Sequence, residues 1–221
     1  MKTGIDAIFF DLDGTLADTA PDLGNALNRL RADEGMPPLP MEILRPQASN
    51  GTRGLLGVGF GIAPGDPDYA RLADGFLGHY AQAVCQDTVL FDGVAELLTT
   101  LDTLKMPWGI VTNKPQRFTL PLLDALGLQK RCIVIVSGDS TPHLKPHPAS
   151  LLLACVNAEV EPQRCMYVGD DERDIVAGAA AGMRTVAAAY GYLGSNVSPE
   201  CWRADAIVQC PAEILGVLER L

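Results

Sequence analysis

Short, almost wholly apolar runs of strand length recur along this chain, with longer stretches of helical periodicity between them. The apolar runs are residues 5–10, 108–112, 132–137, 165–169 and 184–189. Strands that are buried on both faces of a parallel sheet have such continuous apolar runs. The helical stretches between them are residues 93–105, 116–127, 147–158 and 172–182. Because strands alternate with helices, we predict a doubly wound, Rossmann-like α/β fold with a parallel sheet.

The alternation is interrupted once, after the first apolar run. Residues 17–87 have helical periodicity and no strand-like run. A segment inserted after the first strand of such a sheet lies over the carboxyl ends of the strands, where these sheets bind ligands. We therefore predict a core domain of residues 1–16 and 88–221 and an inserted helical cap domain of residues 17–87.

Composition excludes several classes of function. The net charge of -10 and the absence of a basic run argue against a nucleic-acid partner and against binding to a membrane surface. No apolar stretch approaches the roughly 18 residues of a membrane span, and aspartates interrupt the apolar N-terminal segment that a secretion signal would need. The six cysteines have no C-x-x-C spacing, as expected for reduced thiols. These features predict a cytoplasmic protein.

Two carboxylates follow the first apolar run. Asp11 and Asp13 are two residues apart, so in extended backbone both side chains point the same way, and Gly14 lets the chain turn directly after them. Such a pair can simply cap a turn. In a partly dry site, however, the two charges would repel each other unless a cation lay with them, and Mg²⁺ prefers oxygen ligands of this kind.

Polar residues also follow the next three apolar runs. These are Thr112, Asn113 and Lys114 after the second, Lys145 after the third, and Asp170, Asp171 and Asp174 after the fourth. Taken singly, a lysine here could be a solvated surface residue and the aspartates could be helix caps. Because the carboxyl ends of parallel strands share one edge of the sheet, the sequence predicts that these groups of opposite charge converge on one site.

The four polar segments resemble the motifs of the haloacid dehalogenase-type phosphohydrolases. They are DLDGT at 11–15, TNK at 112–114, KPHP at 145–148 and GDDERD at 169–174, and the resemblance covers essentially the whole chain. Within that family the chain looks most like the phosphoglycolate phosphatases. It is also similar to the N-acetylmuramic acid 6-phosphate phosphatases, through WGIVTNKP, SNGTR and the late GYLG stretch at 191–194.

The resemblance implies a Mg²⁺-dependent phosphatase that hydrolyses a small phosphorylated metabolite. Asp11 would be the nucleophile and would form an aspartyl-phosphate, and Asp13 would act first as general acid and then as general base. The resemblance also implies that Asp11, Asp13 (through its backbone carbonyl) and Asp170 hold the metal ion. Thr112 and Lys145 would be catalytic groups that stabilise the phosphoryl oxygens. The residues expected to bind the phosphate are Asp11, Gly14, Thr112, Asn113 and Lys145.

Further roles are expected around this centre. Asp174 would orient either the waters on the metal or Lys145, and Asp171 would either support the metal or cap a helix. In the predicted cap, Asn50 would form a turn in the loop 46–54, and Arg53 would clamp an anionic group of the substrate. Arg53 could equally be a surface residue on the helix that follows.

Two other functions share parts of this pattern. A phosphomutase of the beta-phosphoglucomutase type would have the same core residues, and it would return the phosphoryl group to a sugar instead of releasing it. A signalling domain that is phosphorylated on aspartate also collects acidic residues, Thr and Lys at a sheet edge, but such a domain is about half this length and has no insert. We expect a monomer or a homodimer.

Overall fold

The computed structural model describes residues 4–194 and 197–220. Within these residues the strands are β1 (Ala7–Phe10), β2 (Ala17–Asp18), β3 (Val89–Leu90), β4 (Trp108–Val111), β5 (Ile135–Val136), β6 (Cys165–Gly169), β7 (Arg184–Ala188) and β8 (Ala206–Val208). Six of them form one sheet in the order β5-β4-β1-β6-β7-β8, and every neighbouring pair in it is parallel.

Helices connect these strands. They are α1 (Ala20–Asp33), α2 (Met41–Leu44), α3 (Gly51–Phe60), α4 (Tyr69–Ala81), α5 (Val94–Leu104), α6 (Gln116–Ala125), α7 (Ala149–Ala158), α8 (Glu172–Ala181) and α9 (Glu213–Arg220). No helix in the described ranges is both long and apolar enough to cross a bilayer.

The central strand β1 shows why apolar runs form this sheet. Ile8 and Phe10 pack into one hydrophobic cluster, whereas Ala7 and Phe9 pack into another, and all four are fully buried. Successive side chains of a strand point to opposite faces, so a strand covered on both faces must be apolar at every position. The predicted doubly wound α/β fold is confirmed.

Several elements differ from the prediction. The apolar run 132–137 contains only the two-residue strand β5, and the short elements β2, β3, β8 and the C-terminal α9 were not predicted. Strands of two or three residues are too short to show a period. They are strands because their backbones pair with neighbouring strands.

Helices α1 to α4, residues 20–81, form a helical insert between β2 and β3. The two strands pair antiparallel, with Ala17 opposite Leu90, so the chain leaves and re-enters the α/β core at one place. The insert has a hydrophobic cluster of its own that includes Leu27, Leu55 and Phe76. The division into a core of residues 1–16 and 88–221 and a cap of residues 17–87 stays a prediction. Residues 1 and 221, the ends of the predicted core, lie outside the described residues.

Candidate active site

One cavity of about 310 Å³ lies where the carboxyl ends of β1, β4 and β6 meet the helical insert. The core contributes polar side chains to its wall, among them Asp11, Asp13, Thr112, Lys145 and Asp174. The predicted residues therefore do converge on one edge of the sheet, as parallel strands require.

Three carboxylates form an acidic cluster beside this cavity, and two of them, Asp11 and Asp174, belong to its wall. Asp11, Asp170 and Asp174 each offer an oxygen within 4.8 Å of the others. Asp170 is fully buried, and its two oxygens accept hydrogen bonds from Thr15 Oγ1 and from the backbone N–H of Tyr192, both at 2.9 Å. The Asp11 side chain is 13% exposed, so one carboxylate of the cluster can be reached from the cavity.

The Lys145 ammonium is the positive charge within this cluster. Its Nζ lies 2.9 Å from Asp11 Oδ1 and 2.7 Å from Asp174 Oδ1, and it donates to the Tyr167 hydroxyl at 2.7 Å. Burial lowers the pKa of Lys145, but the charges of Asp11 and Asp174 raise it by more, so the net shift is upward. The side chain therefore stays protonated although it is only 2% exposed.

Three buried carboxylates against one ammonium leave an excess of negative charge. Burial raises the pKa of Asp174 to about 7, with repulsion from Asp11 adding to the effect and Lys145 opposing it. Burial, Asp11 and Asp174 also hold the pKa of Asp170 well above its usual range. In the described part of the chain Asp11 Oδ1 is buried without a hydrogen bond and has only the Lys145 ion pair. A hard divalent cation fits this set of donors.

The pH dependence of stability provides a test of this fit. An unfolded aspartate titrates near a pKa of about 3.9, whereas the pKa of Asp174 in the folded protein is about 7. The folded state therefore holds more protons between these values, and this carboxyl makes the cation-free protein less stable as the pH rises through that window. A cation bound to the cluster and a proton on Asp174 oppose each other, because both are positive and both offset the same excess of negative charge. We expect Mg²⁺ to raise the urea midpoint more at about pH 8 than at about pH 5, and equal increments would argue against a cation in the cluster.

Asp13 lies apart from the acidic cluster. Its Oδ1 accepts hydrogen bonds from Thr19 Oγ1 at 2.6 Å and from Lys114 Nζ at 2.8 Å. The carboxylate thus faces the cavity and the start of α1, and the expected contact of the Asp13 backbone carbonyl with a metal stays a prediction. Lys114 was expected at this edge of the sheet but was given no role there. Its Nζ lies 4.7 Å from the ring centre of Tyr80 in the helical insert, a contact between core and insert that motif spacing does not reveal.

The residues after β4 and β1 support the site in different ways. Thr112 is buried at the cavity wall. Asn113 lines the cavity, and its side chain accepts from the Lys145 N–H at 2.9 Å and donates to the Lys145 carbonyl at 3.1 Å. Both ends of its amide therefore hold the lysine loop, and its contact with a phosphate stays a prediction. Gly14 has a φ of +88°, and a Cβ there would lie 2.2 Å from Asp170 Oδ2. Only glycine allows Asp170 to come this close.

Asp171 and Asp174 begin helix α8 as a capping box. Asp171 accepts from the Arg173 N–H at 2.9 Å, and Asp174 Oδ2 accepts from the Asp171 N–H at 3.1 Å. Burial raises the pKa of Asp171, but its ion pair with the Arg173 guanidinium lowers it by more. Of the two roles expected for Asp171, the geometry favours the helix cap. Asp174 was expected to orient either the waters on the metal or Lys145, and it lies against Lys145.

The two residues expected to contact substrate from the helical insert are placed differently. Asn50 lines the cavity and donates to the Gly194 carbonyl at 3.2 Å. Arg53 is exposed and is not part of the cavity wall, because the turn of α3 points it away from the core. The guanidinium in the wall belongs instead to Arg173, which donates to the Ser49 carbonyl at 2.8 Å. Sequence reasoning missed Arg173, although it lies within the GDDERD segment.

Comparisons with known proteins agree with this geometry. The chain matches the haloacid dehalogenase-like hydrolase family over residues 8–188. It is 39% identical to an N-acetylmuramic acid 6-phosphate phosphatase of Pseudomonas aeruginosa over 97% of this chain and 95% of that protein. It is 42% identical to a phosphoglycolate phosphatase of Xanthomonas campestris pv. campestris, over 94% of each chain.

A similar solved structure extends the match to the fold. The crystal structure of a predicted phosphoglycolate phosphatase from Haemophilus somnus 129pt superposes with a TM-score of 0.87 at 28% identity, and the match covers 98% of this chain and 99% of that one. The family match covers residues 8–188, and the relatives and the solved structure extend the similarity over nearly the full length of the chain. The protein therefore belongs to the haloacid dehalogenase-like hydrolase family and is a phosphatase.

Proposed function

We propose that this protein is a Mg²⁺-dependent phosphatase that hydrolyses a small phosphorylated metabolite through an aspartyl-phosphate on Asp11. The observation that carries this proposal is the separation of two kinds of carboxylate in one cavity. Asp11 lies in a buried cluster with Lys145, whereas Asp13 faces the cavity on its own and is held by Thr19 and Lys114. A nucleophile and an acid–base group need such different surroundings.

The reaction would proceed in two displacements. In the first, a carboxylate oxygen of Asp11 forms a bond to phosphorus while the bond from phosphorus to the ester oxygen breaks, and Asp13 gives its proton to that leaving oxygen. In the second, Asp13 takes a proton from water as the water oxygen attacks phosphorus. The Asp11–phosphorus bond then breaks and inorganic phosphate is released. Asp13 gives one proton to the leaving alcohol and gains another from water, so it ends each cycle protonated, as it began.

The surrounding groups would stabilise charge on the phosphoryl oxygens. Lys145 keeps its proton, and its ammonium lies at the nucleophile itself, 2.9 Å from Asp11 Oδ1. Thr112 lines the same cavity. Asp11, Asp170 and the Asp13 backbone carbonyl would hold Mg²⁺, which when bound offsets the repulsion between the Asp11 carboxylate and the phosphate. Asp174 would hold Lys145 in place, and Asp171 would cap α8.

The cavity favours a sugar-sized leaving group. Its volume of about 310 Å³ is at the lower end of the roughly 300–1,000 Å³ of sites for drug-sized ligands. Part of its wall is apolar, with Leu23, Leu77 and Tyr80 from the helical insert and Phe118 from α6. Glycolate has two carbons and little apolar surface, whereas N-acetylmuramic acid carries N-acetyl and lactyl methyl groups. We therefore rank N-acetylmuramic acid 6-phosphate first and 2-phosphoglycolate, the substrate class of other relatives, second.

Phosphate release from the two candidate esters tests the proposal. We expect Mg²⁺ to support release from both and kcat/KM to be about tenfold or more higher for the amino-sugar ester, because filling an apolar wall is worth about that much. We expect EDTA to abolish release from both. Activity that is indifferent to chelation would remove the metal from the proposal, and a higher kcat/KM for 2-phosphoglycolate would reverse the ranking.

The same assay separates the alternatives. A beta-phosphoglucomutase-type enzyme would convert a sugar phosphate to an isomer without releasing phosphate, and a phospho-aspartate signalling domain would show no multiple turnover. The cytoplasmic location, the lack of nucleic-acid or membrane partners, and the monomeric or homodimeric state remain predictions from the sequence.

A further inference from the structure

The loop of residues 190–194, which follows β7 and contains the GYLG stretch, connects the acidic cluster to the entrance of the helical insert. None of the roles proposed above uses its side chains. Tyr192 is the central residue of this loop and is 8% exposed, so its phenol lies inside the protein. Its ring centre lies 6.0 Å from that of Phe91, which follows β3 at the point where the chain returns from the insert.

At one end the loop is packed directly on Asp170. The Tyr192 N–H donates to Asp170 Oδ2 at 2.9 Å, and the other oxygen of this carboxylate accepts from Thr15 Oγ1. A Cβ at Gly191 would lie 2.3 Å from both the Asp170 Cβ and the Gly14 carbonyl oxygen, so the backbone there approaches as closely as glycine permits. The backbone of the loop therefore sets where the Asp170 carboxylate points.

At the other end the Tyr192 hydroxyl holds the start of the insert. It donates to Asp18 Oδ1 at 2.8 Å and accepts from the Ala20 N–H at 2.9 Å. Asp18 ends β2 and Ala20 begins α1, so these two residues flank the point where the chain enters the insert. The Asp18 carboxylate also pairs with both terminal nitrogens of Arg45 from the insert, each at 2.8 Å.

We propose that Tyr192 is a positioning residue whose hydroxyl couples the placement of the helical insert to the orientation of Asp170. A single residue makes both connections, through its backbone N–H on one side and its phenol on the other. Movement of the insert relative to the core displaces the phenol and draws the N–H away from Asp170, whose other donors are Thr15 Oγ1 and, at 3.5 Å, Ser49 Oγ of the insert. A cation held by Asp170 would thus bind best when the insert lies over the cavity. This inference rests on the proposed function only in taking Asp170 as a metal ligand.

Tyr192→Phe tests the coupling, because it removes the hydroxyl and keeps the ring between its neighbours. Two readouts are used without substrate: calorimetric titration with Mg²⁺, and amide hydrogen exchange over residues 18–23 and 189–194. We expect Mg²⁺ affinity to fall about three- to tenfold, the usual range for a residue that couples two sites. We expect exchange to become faster in both segments together. Tyr69→Phe on α4, outside these hydrogen bonds, is the matched control and should change neither readout.

A second variant changes a residue of the helical insert instead of the loop. Arg45→Met removes the two hydrogen bonds to Asp18 and the guanidinium that lies 5.8 Å from the Tyr192 ring centre, but it leaves the Tyr192 hydroxyl and backbone in place. We expect it to weaken Mg²⁺ binding in the same direction but by less. The coupling is overturned if Mg²⁺ affinity is unchanged in both variants while their melting temperatures fall, since the hydroxyl would then be only structural. If the wild type binds no Mg²⁺, the proposed metal site fails. In that case amide exchange in Tyr192→Phe tests the coupling. Faster exchange in residues 18–23 and 189–194 together would support it, whereas faster exchange in residues 18–23 alone would reject it.

Discussion

Replacing Asp11 with asparagine is expected to lower the rate of phosphate release by about 10⁴- to 10⁶-fold, the range seen when an enzyme loses its nucleophile. The neutral amide is a poor nucleophile and cannot form the acyl phosphate. We expect the folded state to persist, because asparagine has nearly the same shape and because the change removes one of three mutually repelling carboxylates. The free energy of unfolding should be equal to or greater than that of the wild type. Single-turnover phosphate release and urea titration measure the two effects.

Asp124→Asn is the matched control for this variant. Asp124 is an exposed residue of α6 that lies outside the cavity wall, so the same chemical change there should leave the rate within about twofold, as is usual for surface substitutions. Residual turnover of more than about one per cent in Asp11→Asn, in a variant that is folded, would place the nucleophile on another residue.

Replacing Lys145 with methionine is expected to damage both activity and stability. The ammonium is 2% exposed and lies against two carboxylates, and breaking such a buried pair costs about 3–5 kcal/mol of unfolding free energy. The rate of phosphate release should fall by about 10²- to 10³-fold, as it does when one group that stabilises the transition state is lost. Lys130→Met, which removes the same charge from an exposed position, should change neither quantity appreciably.

The pH dependence of the stability loss in Lys145→Met distinguishes loss of the ammonium charge from loss of packing. The pKa of Lys145 is raised in the folded protein, so its contribution to stability is fully present below its unfolded pKa of about 10.4 and is lost only as the pH rises through the higher folded value. Without the ammonium, which opposes the upward shift, the pKa of Asp174 rises further. We therefore expect the stability difference between the variant and the wild type to be larger at about pH 8 than at about pH 5. A difference independent of pH would indicate that the lysine acts through packing alone.

The sheet and the convergence of the site residues could be predicted from local sequence. Buried parallel strands must be apolar at each position, as at Ile8 and Phe9, and the residue after such a strand reaches the carboxyl edge wherever the strand lies in the order. Asp11, Thr112 and Asp170 could be placed at this edge for that reason, because each directly follows a strand. Their position follows from the chain direction of each strand and needs no knowledge of side-chain packing.

Roles that depend on the direction of a side chain could not be predicted in the same way. Asn113 is next to Thr112 in sequence, yet its amide binds the backbone of Lys145 across the fold. Arg53 has suitable chemistry for an anion, but the rotation of α3 places it in solvent. Arg173 belongs to a recognised segment, and its contact with Ser49 exists only because the insert folds back over the core.

Chain direction and burial are properties of short segments, so the amino-acid pattern alone determined the α/β core, the edge that carries the chemistry and the carboxylates that gather there. Contacts between the insert and the core are made by residues as far apart as Asp18 and Tyr192 or Tyr80 and Lys114. No periodicity spans such distances. Only the tertiary structure decided what lines the cavity wall, which partner holds Asp13, and how the entrance of the insert is joined to Asp170.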